Sequence, residues 1–181
     1  MLVRLDQGEP ITRREGRELR ILLEHPDVTI TWTRHRPGEP GTDLHVHREH
    51  ADAFYVLEGV LSFDAGPDAE RVSAGPGGFV AVPPNLVHSF VNAGSEEARW
   101  LNFHAPDTGF ARYLREGIAY DQFDPPSDGG LPVSELVVAS ELPRPGLGVL
   151  PFLWVTESDT EEPGAFNVRL GDERFLAVRA G

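Results

Sequence analysis

The chain has 181 residues, with 29 acidic against 16 basic side chains and a formal net charge of −13. All the basic residues are arginine, because the sequence contains no lysine, and it contains no cysteine. Lysine Schiff bases, a P-loop lysine, thiolate nucleophiles, disulfides and cysteine-bound metal centres are therefore excluded.

Chemistry must rest on His, Asp, Glu, Ser, Thr, Tyr, Arg and the backbone. The length suits one domain with an appendage and allows a real core. So negative a surface repels polyphosphate, so neither nucleic acid nor an anionic membrane is expected as a partner. Residues 1–10 carry Arg4, Asp6 and Glu9 and read as no signal peptide. The longest apolar-rich stretch, 147–155, is far short of the ~20 residues of a spanning helix, so a cytoplasmic location is the expectation.

Gly and Pro number 19 and 16, a share well above the roughly 12% of average proteins, which implies many turns and short strands. Leu2 to Leu5 read as an N-terminal strand. Residues 28–33, Val-Thr-Ile-Thr-Trp-Thr, alternate strictly and give the cleanest strand, with Val28, Ile30 and Trp32 on one face. Further strands are expected at 44–47, 52–57, 60–63, 78–82, 87–91 and 99–104, separated by Gly, Pro and Asn turns. A helix follows: Asp107 or Thr108 caps it, Phe110, Tyr113 and Leu114 share a face, and Gly117 ends it. Residues 124–130, Asp-Pro-Pro-Ser-Asp-Gly-Gly, form a linker. Beyond it, 134–140 reads as a short helix or a strand, and 149–156, 166–170 and 174–178 as strands. The division expected is a β-barrel with its helix over 1–122, and a linker plus structural extension over 123–181, packed on the barrel or on a dimer partner.

His45-Val46-His47 on a strand places two imidazoles on one face, about 7 Å apart along the chain and able to converge on an ion. A hairpin between His47 and Asp52 brings a carboxylate beside them, and His88 offers a third imidazole from a separate strand. Three imidazoles and one carboxylate suit Fe, Ni, Mn, Co, Cu or Zn, with positions left open for substrate or dioxygen. Trp32, Phe54, Val56 and Phe90 stand at inward-compatible parities, as an apolar pocket wall or as barrel core. His104 shares parity with Trp100 and Asn102 and lines the cavity or sits satisfied elsewhere. His50 reads as a loop residue, and His25 and His35 as surface residues. No Gly-x-Ser-x-Gly is present, which argues against a serine hydrolase.

These residues resemble the two motifs of a single-domain cupin. The first reads Gly-(five)-His-x-His-(three or four)-Glu-(six)-Gly, and His45, His47 and Gly59 match it, with Asp52 in the glutamate position and Gly38 displaced by one residue. The second reads Gly-(five)-Pro-x-Gly-(two)-His-(three)-Asn, and Gly77, Pro83, His88 and Asn92 match it, with Asn85 in place of glycine. The resemblance implies an all-β cupin (double-stranded β-helix, jelly-roll) barrel with a few short helices and a C-terminal extension. It also implies one divalent transition metal per subunit, held by His45, His47, Asp52 and His88.

Aspartate is one methylene shorter than glutamate, so three arrangements are open: Asp52 ligates directly, Asp52 acts through a water, or Glu49 ligates instead. Residues 54–59, Phe-Tyr-Val-Leu-Glu-Gly, and 109–114 resemble the quercetinase-like cupins, which implies a metal-dependent dioxygenase acting on a small aromatic or enolic substrate. Asp52 would then serve as catalytic proton acceptor when not ligated. Alternatives are a non-catalytic small-molecule-binding cupin and a metal-dependent isomerase. A homodimer, paired through edge strands, is implied by the same resemblance.

Overall fold

Val28, Ile30 and Trp32 alternate with Thr29, Thr31 and Thr33, and the two sets lie on opposite faces of one sheet. The apolar set faces a second sheet, and the threonine set faces the interior of a jelly roll. This computed structural model describes residues 1–143, 146–149 and 153–181.

The strands are β1 (Leu2–Arg4), β2 (Glu9–Arg14), β3 (Arg17–His25), β4 (Val28–His35), β5 (Ala51–Glu58), β6 (Leu61–Ala65), β7 (Glu70–Ala74) and β8 (Phe79–Val82). They continue as β9 (His88–Val91), β10 (Ala98–Ala105), β11 (Val137–Ala139), β12 (Leu147–Val149), β13 (Leu153–Ser158), β14 (Phe166–Gly171) and β15 (Arg174–Ala180). One α-helix, α1 (Phe110–Glu116), and one 3-10 turn (Val133–Glu135) complete the described residues.

A seven-stranded sheet, β11-β8-β5-β10-β4-β3-β2, faces a three-stranded sheet, β7-β6-β9, in the double-stranded β-helix arrangement, and the two sheets do not close into one hydrogen-bonded cylinder. Phe54, Val56, Leu61, Phe63, Val80, Val82 and Trp100 fill the space between them. The other face of the large sheet carries Val28, Ile30, Ala53, Tyr55, Leu101 and Phe103, packed against Val155, Val168, Leu176 and Val178. These last come from a five-stranded sheet, β1-β14-β15-β13-β12, built mainly by the C-terminal segment. Burying each large apolar side chain stabilises by about 1.5–3 kcal/mol, which is why β5 and β10 are buried on both faces.

Several expectations are corrected. Residues 44–47 make isolated bridges instead of a strand, because His45 pairs with His88 while Val46 pairs with Phe123. The N-terminal strand expected over 2–5 is present as Leu2–Arg4, at the edge of the five-stranded sheet and parallel to β14. The hairpin β2–β3 and strand β7 were not expected from the pattern, since Arg and Glu interrupt their alternation. Segment 134–140 divides into a 3-10 turn and β11, which joins the edge of the large sheet beside β8. The strand expected over 149–156 falls partly at 150–152, outside the described residues, and its remainder belongs to β12 and β13. Helix α1 is stopped by Gly117 at φ 70°, and Asp107 Oδ1 accepts the N–H groups of Gly109 and Phe110 at its start, both at 3.0 Å.

Candidate metal centre and its cavity

Backbone pairing brings the four candidate residues together. His45 and His88 exchange two backbone hydrogen bonds at 3.0 and 2.9 Å, which sets their imidazoles side by side. Asp52 enters on β5, opposite His104 of β10 and Val82 of β8. One ligand atom from each of His45, His47, Asp52 and His88 lies within 4.8 Å of the others, and all four residues are buried.

The hydrogen bonds decide how the imidazoles are protonated. His45 Nδ1 is 2.8 Å from the Asp43 carbonyl, His88 Nδ1 is 3.1 Å from the Leu86 carbonyl, and His47 Nδ1 meets the Asp121 carbonyl. A carbonyl only accepts, so each Nδ1 carries the hydrogen and each Nε2 presents a lone pair. His45 and His47 Nε2 are 3.1 Å apart, and His88 Nε2 is 3.2 Å from Asp52 Oδ2. Three lone pairs and a carboxylate thus converge with no imidazole hydrogen between them, an arrangement that is repulsive alone and favourable around a cation. The donor set fits a divalent transition metal.

The electrostatics agree. Burial, reinforced by His88 and His47, pushes His45 down to about 3, so it stays neutral at pH 7. Burial works against ionisation of Asp52, but the fields of the neighbouring His104, His47 and His88 outweigh it and hold the carboxyl well below its ordinary range. Neutral imidazole beside ionised carboxylate is the protonation state that metal binding requires. Glu49, the alternative ligand, is exposed and contributes its backbone N–H to Asp121 at 2.7 Å.

A second set of polar groups supports this cluster. Asp121 accepts from the N–H groups of Arg48 at 3.0 Å and Glu49 at 2.7 Å, and from His50 Nδ1 at 2.8 Å. His50 Nε2 faces His104 Nδ1 at 2.8 Å, and His104 Nε2 faces Asn102 Oδ1 at 2.9 Å. Asn102 Nδ2 donates to the Ala53 carbonyl and to Asp52 Oδ1, which leaves Oδ2 turned toward His88 and His47. A continuous chain therefore runs from Asp121 to Asp52. Burial opposes ionisation of Asp121, but His50 and the two N–H groups prevail and keep its carboxyl depressed.

The cluster opens on a cavity of about 390 Å³, at the small end of the ~300–1,000 Å³ range of small-molecule sites. Of the residues singled out as walls, Phe90 and His104 line it. Phe54 and Val56 share the parity of Asp52 but lie deeper, in the core between the two sheets. Trp32 stands on the opposite face of the large sheet, under the Arg20 guanidinium, so it does not reach the cluster. The remaining walls are Trp100 and Asn102, residues of β2, β3 and β4 that include Thr12, Arg17 and Thr33, Thr42, and residues of α1 and its flanks, with Phe110 stacked on His104 at 3.6 Å between centroids.

The sequence reading missed several residues. His50 is fully buried and not in an exposed loop, because the segment after α1 folds over it. His35 is likewise buried, edge-on to Trp100. Asp121 and Arg17 carry no sequence signal, since neither sits in a motif or a periodic run.

Residues 31–104 match the family model described as Cupin domain. That segment, which holds all four clustered residues, is a cupin domain. No curated protein matches the chain. Among solved structures, KdgF from Halomonas sp. is 22% identical with a TM-score of 0.46, covering 51% of this chain and 80% of its own. The polyketide cyclase RemF from Streptomyces resistomycificus is 24% identical with a TM-score of 0.47, covering 57% and 77%. A putative sugar phosphate isomerase from Acidithiobacillus ferrooxidans is 26% identical with a TM-score of 0.45, covering 51% and 60%. Among the described residues no helix is long and apolar enough to cross a membrane.

Proposed function

We propose that the protein is a metal-dependent cupin oxygenase acting on a small aromatic or enolic substrate. The observation that carries this reading is the convergence of three imidazole lone pairs and one ionised carboxylate at the end of an aromatic-walled cavity. His45, His47, Asp52 and His88 would hold the ion. A bound divalent metal supplies a Lewis-acidic position for a substrate oxygen and, in an oxygenase, for dioxygen.

The chain's own residues do the remaining work. Phe90, Trp100 and Phe110 pack on an aromatic ring, and α1 covers the cavity and limits water. Asn102 fixes the rotation of the Asp52 carboxylate. A carboxylate kept ionised in this position accepts the proton of an enolic hydroxyl whenever it is not itself engaged by the ion.

The test is oxygen uptake by the metal-loaded protein with flavonols and acidic diketones. Expected is consumption of dioxygen in step with substrate, lost in His88→Ala. Turnover that proceeds equally without oxygen would remove the oxygenase reading. It would favour an isomerase acting on a keto acid, a reading supported by the polar groups of the same cavity, Arg17, Thr33 and Thr42.

A further inference from the structure

Arg17 opens β3, and its side chain shares a face with Leu19 and lines the cavity together with His45, Asp52, Asn102 and His104. Its guanidinium is half-buried, and its Nε is shielded from solvent with no hydrogen-bond partner. Among the described residues no carboxylate pairs with it. The acidic group whose field it feels, Glu39, is held by Arg14.

This is not for want of acids in a chain with 29 of them against 16 arginines. Arg34 is paired with Glu97, Arg71 with Asp64 and Arg115 with Glu9 and Glu24. Arg169, whose Nε is also unpartnered, lies over the Phe175 ring instead of facing a cavity. A half-buried guanidinium that no carboxylate contacts keeps its donors open, and its planar fork is shaped to take a carboxylate through two parallel hydrogen bonds.

We propose that Arg17 is the anion-recognition residue of the cavity, and that the ligand is a small organic carboxylate whose acid group pairs with the guanidinium while an oxygen elsewhere on the molecule meets the His/Asp cluster. The inference rests on the reading of this cavity as the substrate site, and it adds the substrate class. One guanidinium answers one negative charge, which selects a monoanion. Thr12, Thr33 and Thr42 add hydroxyls in the same lining, and Phe90, Trp100 and Phe110 take the apolar body. The ligand is thus an amphipathic acid, anchored at one end by charge.

Binding is measured by calorimetry on the metal-loaded protein, with phenylpyruvate, its methyl ester and phenyl phosphate as probes, for the wild type, Arg17→Gln and Arg17→Lys. A charge-assisted, two-pronged contact predicts that Arg17→Gln weakens phenylpyruvate about 10- to 100-fold. The ester is expected to bind the wild type and Arg17→Gln equally, and Arg17→Lys to recover part of the loss. Metal content and melting temperature, followed in parallel, are expected to stay at wild-type values in both variants. Equal affinity for acid and ester, or no effect of Arg17→Gln, overturns the inference, and a preference for phenyl phosphate overturns the carboxylate assignment. The two readings fail separately. Acid binding that depends on Arg17 without oxygen uptake sinks the oxygenase and keeps the anion site. Oxygen-dependent turnover of neutral flavonols, indifferent to Arg17→Gln, does the reverse.

Discussion

Two cavities open on opposite faces of the seven-stranded sheet, and they differ in how their polar groups are satisfied. The larger, about 500 Å³, lies toward the five-stranded sheet and is lined by Trp32, Tyr55, Arg99 and Arg174. Its arginines are spoken for: Arg99 is bonded to Glu97 at 2.7 Å and to Glu58 at 3.2 Å, and Arg174 to the Tyr55 hydroxyl at 3.2 Å. The smaller holds converging lone pairs at one end and an unpaired guanidinium in its wall. Volume does not mark the site; open hydrogen-bonding valences do.

The contrast is broken most directly at the cluster. His88→Ala is expected to reduce bound metal from about one equivalent to background by elemental analysis. In the wild type, divalent metal at about 1,000 times its dissociation constant should stabilise by about 4 kcal/mol, read as a higher unfolding midpoint that a chelator reverses. The variant should show no such gain. Asp121→Ala removes the acceptor for His50 and two backbone N–H groups. A loss of about 2–4 kcal/mol in denaturant unfolding is expected, with metal affinity down about 10- to 100-fold in competition with a chelating dye.

A smaller effect is expected in the acid range. Burial, reinforced by the Arg17 charge, pushes His35 down to about 4. Its ordinary value is about 6.5, so the unfolded chain takes up a proton that the folded one refuses. The other groups facing it, Glu39 and Arg14, exert opposed fields. Stability should therefore fall as pH drops from about 6.5 toward 4, and His35→Leu should take about one proton out of that slope, the other buried histidines keeping theirs. The smallest effect belongs to the larger cavity. Arg174→Gln should cost under about 1 kcal/mol, since its contacts are largely solvent-exposed, and should leave probe binding and metal content unchanged.

The sequence made the cluster legible because its parts lie in short, spaced motifs. A His-x-His pair, a carboxylate after a tight connection and a histidine at a turn each carry a local signal. Strand parity separated Val28, Ile30 and Trp32 from the threonines, but parity names two faces without saying which one meets the site. Where both faces of a sheet are covered, as in β4 and β5, that ambiguity is physical, and it displaced Trp32 to the wrong side. Phe54 and Val56 had the right face and the wrong depth, which depends on the barrel's length and not on alternation. Asp121 touches His50 from 71 positions away, through a segment with no periodicity. Arg17 lies on a hairpin whose charged residues mask its strands. Its importance arises from what does not pair with it, and no sequence pattern records an absent partner.

The parallel pairing of β1 with β14 sets a temporal order on the fold. Leu2 meets Asn167 and Arg4 meets Arg169, so the sheet that backs the cupin layer takes its edge strand from far upstream. During synthesis residues 2–4 emerge long before their partner exists, while β3, β4, β5 and β10 can already assemble. The apolar face of that early sheet, with Ile30, Tyr55, Leu101 and Phe103, then remains bare until β13, β14 and β15 arrive to cover it. The interval between those two events is when this chain is most exposed to aggregation, and completion of the C-terminal sheet is what ends it.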